Sequence, residues 1–137
     1  MNMDLSTFTK KSQEALSEAQ TLAVTAGNTS VEAEHLLLSM LRQKDGLIPR
    51  ILGRMEIDTN RLMQDVEREL ARLPRISGPG AEPGKIYISQ RLNQVLVNAR
   101  EMATRLKDEY VSVEHVMAAI LAEGAGAPAG KILGAYG

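Results

Sequence analysis

The sequence contains no cysteine and no tryptophan, and it has only one phenylalanine and three tyrosines among 137 residues. The absence of cysteine excludes disulfide bonds, thiolate zinc sites and thiol nucleophiles. The two histidines, His35 and His115, are 80 positions apart, so the sequence has no local cluster of metal ligands. Basic and acidic residues are nearly balanced at 16 and 17, which does not favour binding of nucleic acid or of an anionic membrane.

Long apolar runs are also missing. The longest, Val116 to Ala122, is far too short to span a bilayer, and the N-terminus lacks the apolar core of a secretory signal. A composition of 44% apolar and 24% charged residues is typical of a globular protein, and the length favours one domain. We therefore expect a single domain over residues 1–137, soluble and cytoplasmic, without a membrane partner.

Apolar residues recur at spacings of three and four through most of the chain, which predicts an all-α fold. Predicted helices cover residues 6–26, 47–55, 58–73, 89–106 and 112–122, and a further helix with the apolar stretch Leu36–Leu41 begins after Ser30 and ends near Asp45-Gly46. Ser30, Asp58 and Ser89 are predicted N-caps, whereas Ser6, Thr7 and Thr9 are all plausible for the first helix. Gly53 is expected to interrupt the third helix.

One long loop divides the chain. The segment from Arg75 to Lys85 holds two prolines and three glycines, and Ile86–Ile88 after it is a candidate for a short extended piece. This loop predicts a first repeat over residues 1–73, a linker over 74–88 and a second repeat over 89–137.

The two halves are related in sequence. A shift of 80 residues places Val31 on Val111 and the pair Glu34-His35 on Glu114-His115, at the same distance from a preceding amphipathic helix. This recurrence predicts two copies of one helical unit, packed about a pseudo-two-fold axis.

The second copy is shorter than the first. Ile51-Leu52-Gly53 corresponds to Ile132-Leu133-Gly134, but only the first copy continues into another helix, so we expect a piece of a longer polypeptide. We also expect the tail from Gly124 onward to be mobile. The apolar residues of the second copy should then be more exposed than those of the first. The residues expected to be more exposed are Val116, Ile120 and Ile132 or Leu133, and those compared with them are Leu36, Met40, Ile51 and Leu52.

Several segments resemble a known family. FTKKSQEALSEAQTLA, VEAEHLLLSMLRQKDGLIPRILGRM, RLPRISGPG and DEYVSVEHVMAAIL are similar to the N-terminal repeat domain of the Clp family of AAA+ unfoldases, and the linker looks most like that of the ClpB disaggregases. No Walker A motif is present. The resemblance implies a homohexameric parent ATPase whose ATP and magnesium sites lie in motor modules outside this chain.

The resemblance also implies a function and a site. ClpB-like N-terminal domains hold unfolded or aggregated polypeptide in a shallow apolar groove, and a partner chaperone system would act through other domains. The matching positions are Thr9, Asp108, Glu114 and His115, with Met102 on the groove wall. An unbranched thioether suits a surface that accepts many sequences. His115 departs from the apolar residue often found at its position in ClpB-like domains.

The sequence also bears on other classes of function. In ClpC-like or ClpA-like relatives the positions of Glu34 and Glu114 belong to a site for phosphorylated arginine or for an adaptor, which is the alternative hypothesis. No spacing places either histidine beside a serine or threonine nucleophile, so we expect no catalysis by this domain. Basic residues between Arg42 and Arg75 alternate with acids and lack aromatic neighbours, so we expect no nucleic-acid binding. Each Glu-His pair has a single histidine and no third ligand nearby in the sequence, so we expect no metal site.

Overall fold

A computed structural model describes residues 5–43, 46–74, 87–123 and 132–133. Six helices account for most of them, as predicted for an all-α fold, and two short strands form a single parallel pair. In chain order the elements are a 3-10 turn at Leu5–Thr7, α1 Lys10–Thr25, β1 Ser30–Val31, α2 Ala33–Leu41, α3 Leu47–Arg54, α4 Thr59–Leu70, β2 Tyr87–Ile88, α5 Gln90–Arg105 and α6 Val113–Ala122. Ile132 and Leu133 are also helical.

Side-chain caps set the beginnings of three helices. Thr9, Asp58 and Ser89 each accept a hydrogen bond from the backbone N–H three residues later, which satisfies one of the unpaired donors of the first turn. The predictions for Asp58 and Ser89 are therefore confirmed. Among the three candidates for α1, Thr9 is the cap.

Two predictions about the helices of the first repeat are wrong. Ser30 does not cap α2: it lies in β1, and Glu32 is the N-cap, closed by a reciprocal pair of bonds with His35. Gly53 does not interrupt α3, which is continuous over its eight residues. A Cβ at Gly53 would meet nothing within 4 Å, because this side of α3 faces open space.

The two repeats are joined by exchanged backbone pairs. Val31 of β1 pairs with Ile88 of β2, and Phe8 forms an isolated parallel bridge with Val111. Adding 80 to 8 and to 31 gives 88 and 111, so each repeat pairs the residue before its first helix with the residue before the other repeat's second helix. This exchange is the relationship that a pseudo-two-fold axis requires.

The core lies around α2, whose nine residues are all buried. Helix α2 packs against α1 and α4, while α5 packs against α6, and α6 also contacts α1, α2 and α3. The prediction of a more exposed second repeat is wrong: Val116, Ile120 and Leu133 are as buried as Leu36, Met40 and Leu52, and Ile51 of the first repeat is the exposed one. The contacts of α6 with α1, α2 and α3 of the first repeat explain why Val116 and Ile120 are buried. The tail at 124–131 and 134–137 lies outside the described residues.

The equivalent ends of α1 and α5 share one backbone geometry, which the end of α3 also adopts at Glu56, with a φ of 60°. After α1, Gly27 has a φ of 74°, and the N–H of Asn28 bonds to the carbonyl of Ala23. After α5, Lys107 has a φ of 61°, and the N–H of Asp108 bonds to the carbonyl of Ala103 in the same way. Both are six-residue C-terminal caps with a left-handed residue. The cap after α5 turns the chain, so that the segment from Asp108 leads to α6. An open groove lies between the two helices at this point.

Candidate functional site

An open groove of about 760 Å³ lies between the C-terminal end of α5 and the first turns of α6. We call it the α5–α6 groove. Its walls combine apolar side chains with a charged rim that carries three carboxylates and one guanidinium. The lining residues are Met102, Arg105, Leu106, Asp108, Glu109, Tyr110, Ser112, Glu114, His115 and Ala118.

Four of the five residues predicted to bind substrate line this groove. Met102 is half-buried on the α5 wall, and Glu114 is exposed in the first turn of α6. His115 is buried in the same turn, and Asp108 lies in the segment between the two helices. Thr9 lies outside the set of lining residues. Its hydroxyl caps α1, accepting from Ser12 N at 3.2 Å and donating to Ser12 Oγ at 3.0 Å.

The imidazole of His115 organises one wall of the groove. Its Nδ1 accepts the backbone N–H of Ser112 at 2.9 Å, so the ring proton lies on Nε2, which donates to Asp108 Oδ2 at 2.8 Å. His115 is buried whereas the Asp108 side chain is half exposed. The buried imidazole of His115 therefore holds the Asp108 carboxylate in place at the groove rim.

The sequence has no motif that places a histidine beside a hydroxyl nucleophile, but the fold brings Ser112 next to His115. Ser112 Oγ lies 2.9 Å from Nδ1 of this ring, so serine, histidine and aspartate are in line. A general base needs a free lone pair toward the hydroxyl, but the lone pair of Nδ1 already accepts the Ser112 amide. The arrangement caps α6 and positions Asp108, and it is not set up to take a proton from the serine.

The two glutamates of the alternative hypothesis occupy different environments. Glu114 is exposed at the start of α6, where the positive end of the helix dipole favours a carboxylate. Glu34 holds the equivalent place in α2, but only 3% of it is exposed. The two positions therefore do not offer equivalent access to a ligand.

A second, smaller groove of about 180 Å³ lies on the other side of α6, and we call it the α3–α6 groove. Its lining residues are Ile48, Ile51, Leu52, Glu114, Met117, Ala118 and Leu121. The part of the chain that the structure describes has five exposed large apolar side chains. Leu106 and Tyr110 line the first groove, and Ile51 and Leu121 line the second, so four of the five lie on one face.

Sequence reasoning missed Leu106 and Tyr110 as groove residues. Leu106 continues the apolar spacing of α5, which predicts burial, yet it is 67% exposed because it is the C-cap, beyond the last packed turn. The sequence context of Tyr110 indicates an exposed position: it is one of three tyrosines and follows three charged residues, Lys107 to Glu109. An aromatic ring in such a setting is more typical of a binding surface than of a core.

Comparison with known proteins identifies the family. The model of the Clp repeat (R) N-terminal domain matches residues 7–136. The chain belongs to this family. Residues 7–136 include both grooves and both repeats, so the match extends over the whole candidate site.

Curated relatives at high identity are ClpB chaperones. The domain is 51% identical over 132 residues to the chaperone protein ClpB of Nitratidesulfovibrio vulgaris, covering 96% of this chain and 15% of that protein. Against ClpB of Bacillus anthracis the identity is 45% over 121 residues, covering 88% of this chain and 14% of that protein. The chain thus spans about one-seventh of the length of these relatives.

Solved structures share the fold. The crystal structure of the Hsp104 N-terminal domain from Candida albicans matches with a TM-score of 0.73 at 24% identity, covering 83% of this chain and 73% of that one. The N-terminal domain of ClpD from Arabidopsis thaliana matches with a TM-score of 0.68 at 20% identity, covering 97% and 88%. At these identities the likeness shows the fold of a Clp N-terminal domain.

The described helices also bear on membranes and metals. Within residues 5–43, 46–74, 87–123 and 132–133, the helices are too short or too polar to cross a bilayer. Over the same ranges, no group of three or more His, Asp or Glu side chains is arranged to hold a metal ion.

Proposed function

We propose that this domain engages unfolded or aggregated polypeptide as the N-terminal domain of a ClpB-like disaggregase. The observation that carries the proposal is the α5–α6 groove, an open apolar surface bordered by Asp108, Glu109 and Glu114. Exposed apolar side chains are ordinary when scattered, but a contiguous set with a polar rim is typical of an interaction site. Unfolded polypeptide offers the matching chemistry, since it exposes side chains that a folded protein buries.

Affinity at one groove should be modest. A small, open interface leaves little surplus once the entropy of association has been offset. In a hexameric parent, six such domains around one aggregate would raise the effective concentration of binding sites, so that weak contacts suffice. We place ATP hydrolysis, with its magnesium, in motor modules of that parent and the whole protein in the cytoplasm, by analogy with the ClpB relatives.

The test is an NMR titration of the domain with a permanently unfolded model protein. We expect shifts of the amides of Asp108, Tyr110 and Glu114, and weaker binding by Leu106→Ser, which removes an exposed apolar side chain at little cost in stability. Gln20→Ser, on the exposed face of α1, is the control and should bind as the unmodified domain does. Unchanged groove amides at saturating unfolded protein would overturn the proposal.

The alternative, docking of phosphoarginine or of an adaptor, remains a prediction that calorimetry can separate from this one. The hypothesis expects free phosphoarginine to bind at two sites, lost by Glu34→Ala and by Glu114→Ala respectively. Exposed Glu114 is compatible with such a site, whereas burial of Glu34 opposes a second one. Absence of heat with free phosphoarginine, together with shifts caused by unfolded protein, would favour polypeptide engagement.

A further inference from the structure

The α3–α6 groove is too small to be a separate ligand site. Its volume of about 180 Å³ is below the ~300–1,000 Å³ of typical small-molecule pockets. Six of its seven lining residues are apolar, and two of them, Ile51 and Leu121, are 39% and 50% exposed. A space of this size and character suits one apolar side chain of a larger ligand.

The α3–α6 groove is continuous with the α5–α6 groove. Glu114 and Ala118 line both, and they are four residues apart on α6, which places them on the same exposed face one helical turn apart. Ala118 presents only a methyl group there. The ridge between the grooves is therefore low, and a polypeptide can cross it without displacing a bulky side chain.

The distance between the two grooves sets the sequence spacing of the two apolar side chains that would occupy them. A ligand crossing α6 must span the width of one helix, about 10 Å. An extended chain advances about 3.3 Å per residue and its alternate side chains point to opposite faces, so a spacing of about four residues crosses α6 with both apolar side chains directed at the domain.

The charge of the groove rim favours one type of ligand side chain between the two apolar ones. The α5–α6 groove has the carboxylates of Asp108, Glu109 and Glu114 against the single guanidinium of Arg105, and Glu114 stands at the crossing itself. A cationic side chain at the middle of the ligand would meet this excess of negative charge, whereas an acidic one would be repelled.

We propose that one extended polypeptide segment occupies both grooves, with an apolar side chain in each and a lysine or arginine beside Glu114 between them. The proposal rests on the proposed function and makes it more specific: the substrate class is a segment with two apolar residues four positions apart that flank a basic residue.

The experiment uses two fluorescent peptides of equal length. The first has two leucines four residues apart with a lysine between them, and in the second one leucine is replaced by serine. We expect Ile51→Ser or Leu121→Ser to weaken binding of the two-leucine peptide about tenfold, to the level of the one-leucine peptide, because one buried leucine is lost. The one-leucine peptide should bind these variants and the unmodified domain equally. Both substituted residues are partly exposed, so the fold should persist, and circular dichroism checks this.

The outcomes separate the two proposals. If Leu106→Ser weakens the two-leucine peptide but Ile51→Ser and Leu121→Ser do not, and the amides of Ile51 and Leu121 do not shift, the two-groove proposal is overturned while polypeptide engagement stands. If none of the three substitutions matters and no groove amide shifts, the proposed function itself fails. A peptide with glutamate in place of the lysine should bind more weakly, and equal binding would remove the basic residue from the proposal.

Discussion

His115 Nε2 lies 2.8 Å from Asp108 Oδ2, at the wall of the α5–α6 groove. Eighty residues earlier, His35 Nε2 makes the same contact with Asn28 Oδ1 at 2.9 Å. The amide partner is buried, whereas the carboxylate is half exposed. Burial of an ionised carboxylate is costly, so a neutral partner suits the inner pair and a charged one is tolerated at the groove. One hydrogen-bond pattern thus lies in the core in the first repeat and at the wall of the α5–α6 groove in the second.

The inner pair predicts acid sensitivity. Burial lowers the pKa of His35 below its ordinary 6.5, and the nearby carboxylate of Glu32 offsets this only in part. The folded domain therefore binds the proton less readily than the unfolded chain, so stability is full above about pH 6.5 and is lost as the pH falls through the lowered pKa of the folded state. We expect the melting temperature to decrease from pH 7 to pH 5.

Asn28→Asp is the matched test of that mechanism. A carboxylate beside Nε2 favours the imidazolium, so the decrease in melting temperature between pH 7 and pH 5 should be smaller than in the unmodified domain. At pH 7 the variant should be less stable, since it buries a charge and loses the bond from Asn28 Nδ2 to the Pro74 carbonyl. The same pH profile in both proteins would show that His35 does not cause the acid sensitivity.

Lys107→Gly should stabilise the domain. Lys107 has a left-handed φ of 61°, a conformation that costs a residue with a Cβ about 1–2 kcal/mol, whereas the equivalent cap after α1 has Gly27. Greater freedom of glycine in the unfolded chain offsets part of the gain, so we expect the free energy of unfolding to increase by about 0.5–1 kcal/mol. Urea denaturation followed by circular dichroism measures it.

The reverse change, Gly27→Ala, is the control for Lys107→Gly. It places a Cβ at a φ of 74° and should lower the free energy of unfolding by about 1 kcal/mol. If Lys107→Gly destabilises the domain while Gly27→Ala behaves as expected, contacts of the lysine stem outweigh the backbone strain, and the prediction is wrong.

Local patterns in the sequence were sufficient for most helices. The caps Thr9, Asp58 and Ser89 act within four residues, so short-range chemistry identifies them. The Glu32 cap was missed because it depends on a histidine as the reciprocal partner, outside the usual pattern of Ser or Thr with Glu. The bridge between Phe8 and Val111 joins residues 103 positions apart, and no local pattern contains such a pairing.

The site was predictable in part. Met102, Asp108, Glu114 and His115 line one groove as the family resemblance implied, because they cluster at the end of one helix and the start of the next. The α3–α6 groove depends on how α3 lies against α6 across the repeats, and helical periodicity alone does not report which apolar residues such packing leaves exposed. Leu121 illustrates this, since it continues an apolar run and is 50% exposed.

Glu123→Gln should stabilise the domain at neutral pH. Burial raises the pKa of this carboxyl, the Arg91 guanidinium 4.0 Å away lowers it, and Glu32 raises it again. Its Oε1 is buried, without a hydrogen-bond partner among the described residues, and the side chain stands at the C-terminal end of α6, where the helix dipole disfavours negative charge.

The sign of the Glu123 effect depends on pH. Because the pKa is raised in the folded state, stability from this group is full below the ordinary value of 4.5 and is lost as the pH rises through the raised value. Glu123→Gln should therefore increase the free energy of unfolding by about 1 kcal/mol at pH 7 and by much less at pH 4. Exposed Glu101→Gln is the charge control, and an equal gain from both variants would exclude a specific effect of burial.

The last prediction separates two roles of Thr9, which caps α1 while Ser89 caps α5 at the equivalent position. Thr9→Ala and Ser89→Ala should each lower the free energy of unfolding by about 1 kcal/mol, because each leaves one backbone N–H of the first turn without its partner. Thr9→Ser should retain nearly full stability, since its hydroxyl can still accept from Ser12 N. Urea denaturation measures all three variants under the same conditions.

Peptide binding by the same variants then tests the role in substrate binding predicted for Thr9. The measurement is made at a temperature where every variant is folded, so that lost capping does not appear as lost affinity. Thr9 lies outside the α5–α6 groove and its hydroxyl is engaged with Ser12, so we expect Thr9→Ala and Ser89→Ala to bind the two-leucine peptide equally well. Weaker binding confined to Thr9→Ala would contradict this and extend the binding surface from the groove to the start of α1.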